Sequence, residues 1–172
     1  MAETTKHDQC AQMGALCEHH DSFKPFVGTF RAEVKMWMGP GDPMTSSGAM
    51  TNTLVLGGKF LAQDYVGDPS HGPFGDFAGK GFWGYNTVDD RYEGVWIDTA
   101  CTFMMTEHGQ REPDGRTWTM LGSMTNPETG TPMRKKSVIR LRDADHHSME
   151  MFFETPDGQW ARSMHIEYVR KR

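Results

Sequence analysis

The stretch Phe26-Val27-Gly28-Thr29-Phe30-Arg31-Ala32-Glu33-Val34-Lys35-Met36-Trp37-Met38 decides the fold. Phe30, Ala32, Val34, Met36 and Met38 share one side, and Arg31, Glu33, Lys35 and Trp37 share the other. A period of two places successive side chains on opposite faces of a strand, so this segment reads as a half-buried β-strand and not as a helix. Pro25 keeps its predecessor out of the helical region and suits an entry turn, and Gly39-Pro40-Gly41-Asp42-Pro43 closes the segment.

The same grammar repeats to the end of the chain. Strands are predicted at 28–38, 47–56, 59–66, 76–85, 91–98, 103–111, 117–124, 132–142, 148–154 and 159–170. Between them stand turn signals: Gly57-Gly58 as a two-residue hairpin, Glu112-Pro113-Asp114-Gly115, Asn126 to Gly130, Asp143-Ala144-Asp145 and Thr155-Pro156-Asp157-Gly158. Links this short force antiparallel neighbours, because a parallel crossover needs a dozen or more residues. An all-β, up-and-down meander of about ten strands satisfies its edges most simply by closing into a barrel. Residues 1–22 read as a tail or short helix against the barrel's end, with a weakly helical piece around 10–20, and residues 23–172 as the barrel domain.

Alternation also sorts the faces. Met149, Met151 and Phe153 oppose Glu150, Phe152 and Glu154, while Trp160, Met164, Ile166 and Tyr168 oppose His165 and Glu167. Some middle strands are apolar on both sides: Phe77, Trp83 and Tyr85 against Phe82, and Val95 and Ile97 against Trp96. A doubly apolar strand implies a covered outer wall, so either the N-terminal segment or a second subunit is expected there.

Composition limits the function. Eighteen basic and twenty-three acidic residues give a net charge of −5, with 37% hydrophobic residues. Nucleic acid is not expected as a partner, since phosphate binding needs clustered positive charge. The run Arg134-Lys135-Lys136 reads as a solvated strand face. The three cysteines, Cys10, Cys17 and Cys101, cannot all pair, which points to a reducing, cytoplasmic location, and no signal peptide or membrane-spanning run is expected.

Several blocks resemble a known family. Glu33 to Gly41, Ser47 to Asn52, Leu56 to Leu61, Gly81-Phe82-Trp83-Gly84-Tyr85-Asn86, Trp96-Ile97-Asp98-Thr99 and Thr125 to Gly130 are similar to the bacterial domain-of-unknown-function family 1579. The resemblance covers roughly residues 23–171. It implies a calycin, or lipocalin-like, β-barrel. Gly28-Thr29-Phe30 stands where lipocalins carry Gly-x-Trp, with phenylalanine in place of tryptophan. The resemblance implies no activity.

A barrel of this size holds either a packed core or one small ligand. Fourteen methionines, flexible and polarizable, suit an adaptable apolar lumen as well as an irregular core. Trp96 and Asp98 lie two residues apart on one face, and an inward Asp98 needs polar partners such as Gln63, Tyr65, Tyr85 or Arg162. Otherwise Asp98 starts a turn by binding backbone amides. The expected function is non-enzymatic binding of a small apolar or aromatic molecule. Trp37, Gln63, Tyr65, Tyr85, Trp96, Asp98, Met104 and Glu150 are the candidate ligand-binding residues.

Three alternatives stand beside that expectation: a barrel isomerase or hydrolase using Asp98 as acid or base, a homodimeric interaction module, and a haem binder. A related calycin branch, the nitrobindins, binds haem through a histidine inside a ten-stranded barrel. His165, in mid-strand, is the one histidine the alternation places to enter or flank the barrel, although an exposed cross-strand His–Glu face is its stronger reading, while His146-His147 falls in a turn. Cys10, Cys17, His19 and His20 match no common zinc spacing, so neither a metal nor a cofactor is expected.

Overall fold

The computed structural model describes residues 13–69, 76–127 and 129–172. Ten antiparallel strands form a closed barrel in sequence order: β1 (Gly28–Met36), β2 (Met44–Val55), β3 (Phe60–Gly67), β4 (Ala78–Asn86), β5 (Arg91–Asp98), β6 (Met105–Arg111), β7 (Thr117–Thr125), β8 (Pro132–Leu141), β9 (His146–Glu154) and β10 (Trp160–Arg170). β10 returns to pair with β1, from Phe30 opposite Arg170 to Met36 opposite Met164, so the barrel has no open edge. A short helix, α1 (Glu18–Asp21), and a single 3₁₀ turn (Lys24–Phe26) precede it.

Every predicted strand is present, and the differences lie at turns and in one register. Gly57-Gly58 does not form a two-residue hairpin. Val55 pairs with Phe60, leaving a four-residue link in which Leu56 as well as Gly57 and Gly58 take positive φ. In β10, Arg162 pairs with Phe152 but Met164 pairs with Met151, so a bulge at Ser163 inserts one residue. One extra residue reverses the facing of everything before it. Trp160 therefore does not share a face with Met164. It lies outside, under Lys136 and Arg134, and Arg162 lies outside over Trp37.

The two ends of the barrel differ. At one, the segment before β1 folds inward: Phe23 and Phe26 are buried against Trp83, Tyr92 and Trp118, with ring centroids 5.3–5.9 Å apart. Ser22 meets the Tyr92 hydroxyl at 3.1 Å, Asn52 donates to the Phe26 carbonyl at 2.9 Å, and Arg170 donates to the carbonyls of Val27 and Pro25. His19 stacks on Tyr85 at 4.1 Å. Several of these aromatics are among the largest fully buried side chains, and packing them against one another closes this end.

Of the two covers expected for the doubly apolar strands, the N-terminal segment or a second subunit, the described part of the first does not supply one. The described N-terminal residues fill the barrel's end and leave the outer wall of β3 to β5 uncovered, with Val66, Phe82 and Ile97 between 43% and 59% exposed. Cys10 lies outside the described residues.

Candidate functional site

Inward residues that do not meet across the centre leave a cavity of about 510 Å³ between the aromatic plug and the opposite end, which the described residues leave open. That volume falls in the range of small-molecule pockets. The strand ends carrying Met36, Met44, Asp68, Asp98 and Met105 surround the mouth. Phe26, Trp83, Ile139 and His147 lie towards the plug, and Met50, Met149, Met151, Met164, Tyr65 and Tyr168 supply much of the wall. Seven methionines line this space in all, so much of the wall is flexible thioether.

Of the residues expected from the sequence, Gln63, Tyr65, Trp96 and Asp98 come together on the cavity wall. The indole of Trp96 lies against β4 where Gly79 and Gly81 carry no side chain. A Cβ at Gly81 would stand 2.8 Å from the ring. Flattened there, the indole N–H donates to the Asp98 carboxylate at 3.0 Å. The other Asp98 oxygen accepts from the Ala100 amide at 2.9 Å and the Cys101 thiol at 3.4 Å. Asp98 thus lines the cavity and also fastens the following turn. Burial and the nearby carboxylate push the Cys101 thiol pKa up.

Four expected residues stand elsewhere. Tyr85 belongs to the plug, stacked on His19 and bonded to Asp90. Its hydroxyl is held protonated, chiefly by burial and then by the Asp90 bond. Trp37 follows β1 and lies under the Arg162 guanidinium. Met104 is 73% exposed. Glu150 faces outward between Arg140 and Arg162; burial opposes its ionisation, but those two partners outweigh burial and lower its pKa.

The histidines match one expectation, the outer His–Glu face of His165, and correct another, the placing of His146-His147 in a turn. His165 sits outside, 3.0 Å from Glu167 and 3.8 Å from Glu150. His147 is the histidine that enters the barrel. β9 begins at His146, and His147 pairs with Tyr168. It is 6% exposed, stacked on Tyr168 at 4.4 Å and edge-on to Phe26 and Phe30. Burial first, and the Arg170 charge second, depress its pKa to about 3, so the imidazole is neutral.

The other group that sequence reasoning missed is an ion pair inside the barrel. Lys135 Nζ lies 2.6 Å from Glu107 Oε2, and the Ser137 hydroxyl donates to the same oxygen at 2.8 Å. Glu107 is on β6 and Lys135 on β8, with β7 between them. The intervening position is Gly122, which pairs with both, and its missing side chain clears the span. Alternation splits the run Arg134-Lys135-Lys136: its outer members lie over Trp160, and Lys135 turns inward. The signal in the sequence was Gly122 in mid-strand, since a glycine inside a strand marks a close approach.

Among the described residues no group of three or more His, Cys, Asp or Glu side chains is placed to hold a metal, and no helix is long and apolar enough to cross a membrane. Two solved structures share the architecture. Rv2717c from M. tuberculosis superposes with a TM-score of 0.63 at 13% identity, covering 92% of this chain and 100% of that one. The S-type phycobiliprotein lyase CPES from Guillardia theta superposes with a TM-score of 0.58 at 12% identity, covering 94% and 97%. At such identities the likeness shows the fold. No curated protein matches the chain. A family model described as a protein of unknown function, DUF1579, matches residues 16–170, which is nearly the whole barrel and its plug. The chain therefore belongs to the DUF1579 family.

Proposed function

We propose that this protein binds one small apolar or aromatic molecule inside its barrel. The observation that carries this is the cavity of about 510 Å³, plugged at one end by Phe23 and Phe26, left open at the other by the described residues and lined in large part by methionine and aromatic side chains. A monomeric core fills such space to close packing, because unfilled apolar volume costs stability. A lumen left open, with a few polar groups on an adaptable wall, supports a ligand site better than a structural core.

The test uses diphenylhexatriene, a hydrocarbon that fluoresces only when removed from water. The wild-type barrel is expected to bind it saturably at one molecule per chain, with quenching of Trp96 emission. In Met149→Trp, which fills the lumen, binding is expected to fall at least tenfold while the thermal unfolding transition is retained. No binding to the wild type, or equal binding to the filled variant, would overturn the proposal.

A further inference from the structure

Inside this cavity the polar groups are unevenly distributed. Lys135 is 8% exposed, and its one partner among the described residues is Glu107. An ammonium has three N–H donors, so two remain free. The indole N–H of Trp83, also on the lining, is buried and has no partner among the described residues. Buried donors without acceptors are costly, so an occupant that brings an acceptor gains what the empty wall forfeits.

The charges narrow the acceptor further. Glu107 already balances Lys135, so a carboxylate or phosphate arriving here would add an uncompensated charge to an apolar chamber. At the mouth, Asp68 is paired with Arg31, but Asp98 is bonded by neutral donors and has no cationic partner among the described residues. An anion must therefore pass the Asp98 carboxylate before losing its water. A cation would be drawn to that carboxylate but would meet Lys135 within.

Resting on the reading of the cavity as a ligand site, we infer that its ligand is uncharged and carries a carbonyl-type acceptor on an apolar, aromatic-sized body. Lys135 donates to that oxygen, while Glu107, itself held by the Ser137 hydroxyl, fixes the ammonium in place across Gly122. The pair thus acts as a neutral recognition group that selects ketones, amides or quinone-like carbonyls over acids and amines of the same shape.

Four naphthalenes of matched size test this by isothermal titration: acetylnaphthalene, ethylnaphthalene, naphthoate and naphthylmethylammonium. Acetylnaphthalene is expected to bind the wild type at least about tenfold more tightly than each of the others, the worth of one charge-assisted hydrogen bond. In the double variant Lys135→Met/Glu107→Gln, which leaves no buried charge unpaired, the preference over ethylnaphthalene is expected to shrink to within about twofold. Equal or tighter binding of naphthoate or the ammonium to the wild type would overturn the inference. So would a ketone preference that survives the double variant, or failure of acetylnaphthalene to bind a barrel that takes up diphenylhexatriene. If diphenylhexatriene also fails to bind, the cavity reading falls with it. If the hydrocarbon binds and the four head groups rank equally, the cavity reading stands and only the head-group inference fails. The wild-type ranking needs no variant, so the inference remains testable even if the double variant does not fold.

Discussion

Among the described residues His147 has no oppositely charged partner; its neighbours are the rings of Phe26, Phe30 and Tyr168. Its folded pKa of about 3 lies below the ordinary 6.5, so the unfolded chain takes up a proton that the folded chain refuses. Stability from this residue is complete above pH 6.5 and declines as pH falls towards 3, by up to ~1.4 kcal/mol per pH unit. Urea unfolding at pH 7 and pH 4.5 is expected to show a loss that His147→Phe largely removes. An unchanged pH dependence in that variant would mean that other groups govern the acid transition. The sequence did not show this residue's place, because Asp143-Ala144-Asp145 is a turn signal and two histidines after it looked like its continuation. The neighbouring strand decides otherwise: Val169 and Tyr168 draw His146 and His147 into the ladder.

The strands were legible because each one carries its own alternation, which is a local property. Features made between strands were not. The Ser163 bulge turns Trp160 outward, and nothing within the segment from Gln159 to Arg170 announces it; the mismatch appears only against β9. Likewise Lys135 meets Glu107 across β7, so its burial depends on residues 28 positions away in the chain. Trp96 and Asp98 were legible because their pairing spans two residues of one strand. The N-terminal element behaves as part of the core: Phe26 packs on Trp83, Trp118 and His147 and is held by Asn52 through its carbonyl. Phe26→Ala is expected to lower stability by about 3–5 kcal/mol in chemical denaturation, as for other fully buried phenylalanines. A loss below about 1 kcal/mol would show that the plug is peripheral and that the barrel closes without it.

At the scale of the whole molecule, the closed ladder and the aromatic plug form a methionine-lined container that the described residues leave open at one end. The structural neighbours share the barrel fold, and the family is one of unknown function, so the proposed ligand rests on the chemistry of the wall. The methionines themselves report where a ligand goes. Met50, Met149, Met151 and Met164 line the cavity, whereas Met13, Met38 and Met104 are 63–73% exposed on the outside. The most direct measurement is therefore methyl NMR of carbon-labelled methionine during titration with diphenylhexatriene. Saturable shifts of the Met50, Met149, Met151 and Met164 methyls, with Met13, Met38 and Met104 unmoved, are the predicted result. Shifts confined to the outer methionines, or none at saturating dye, would contradict the account.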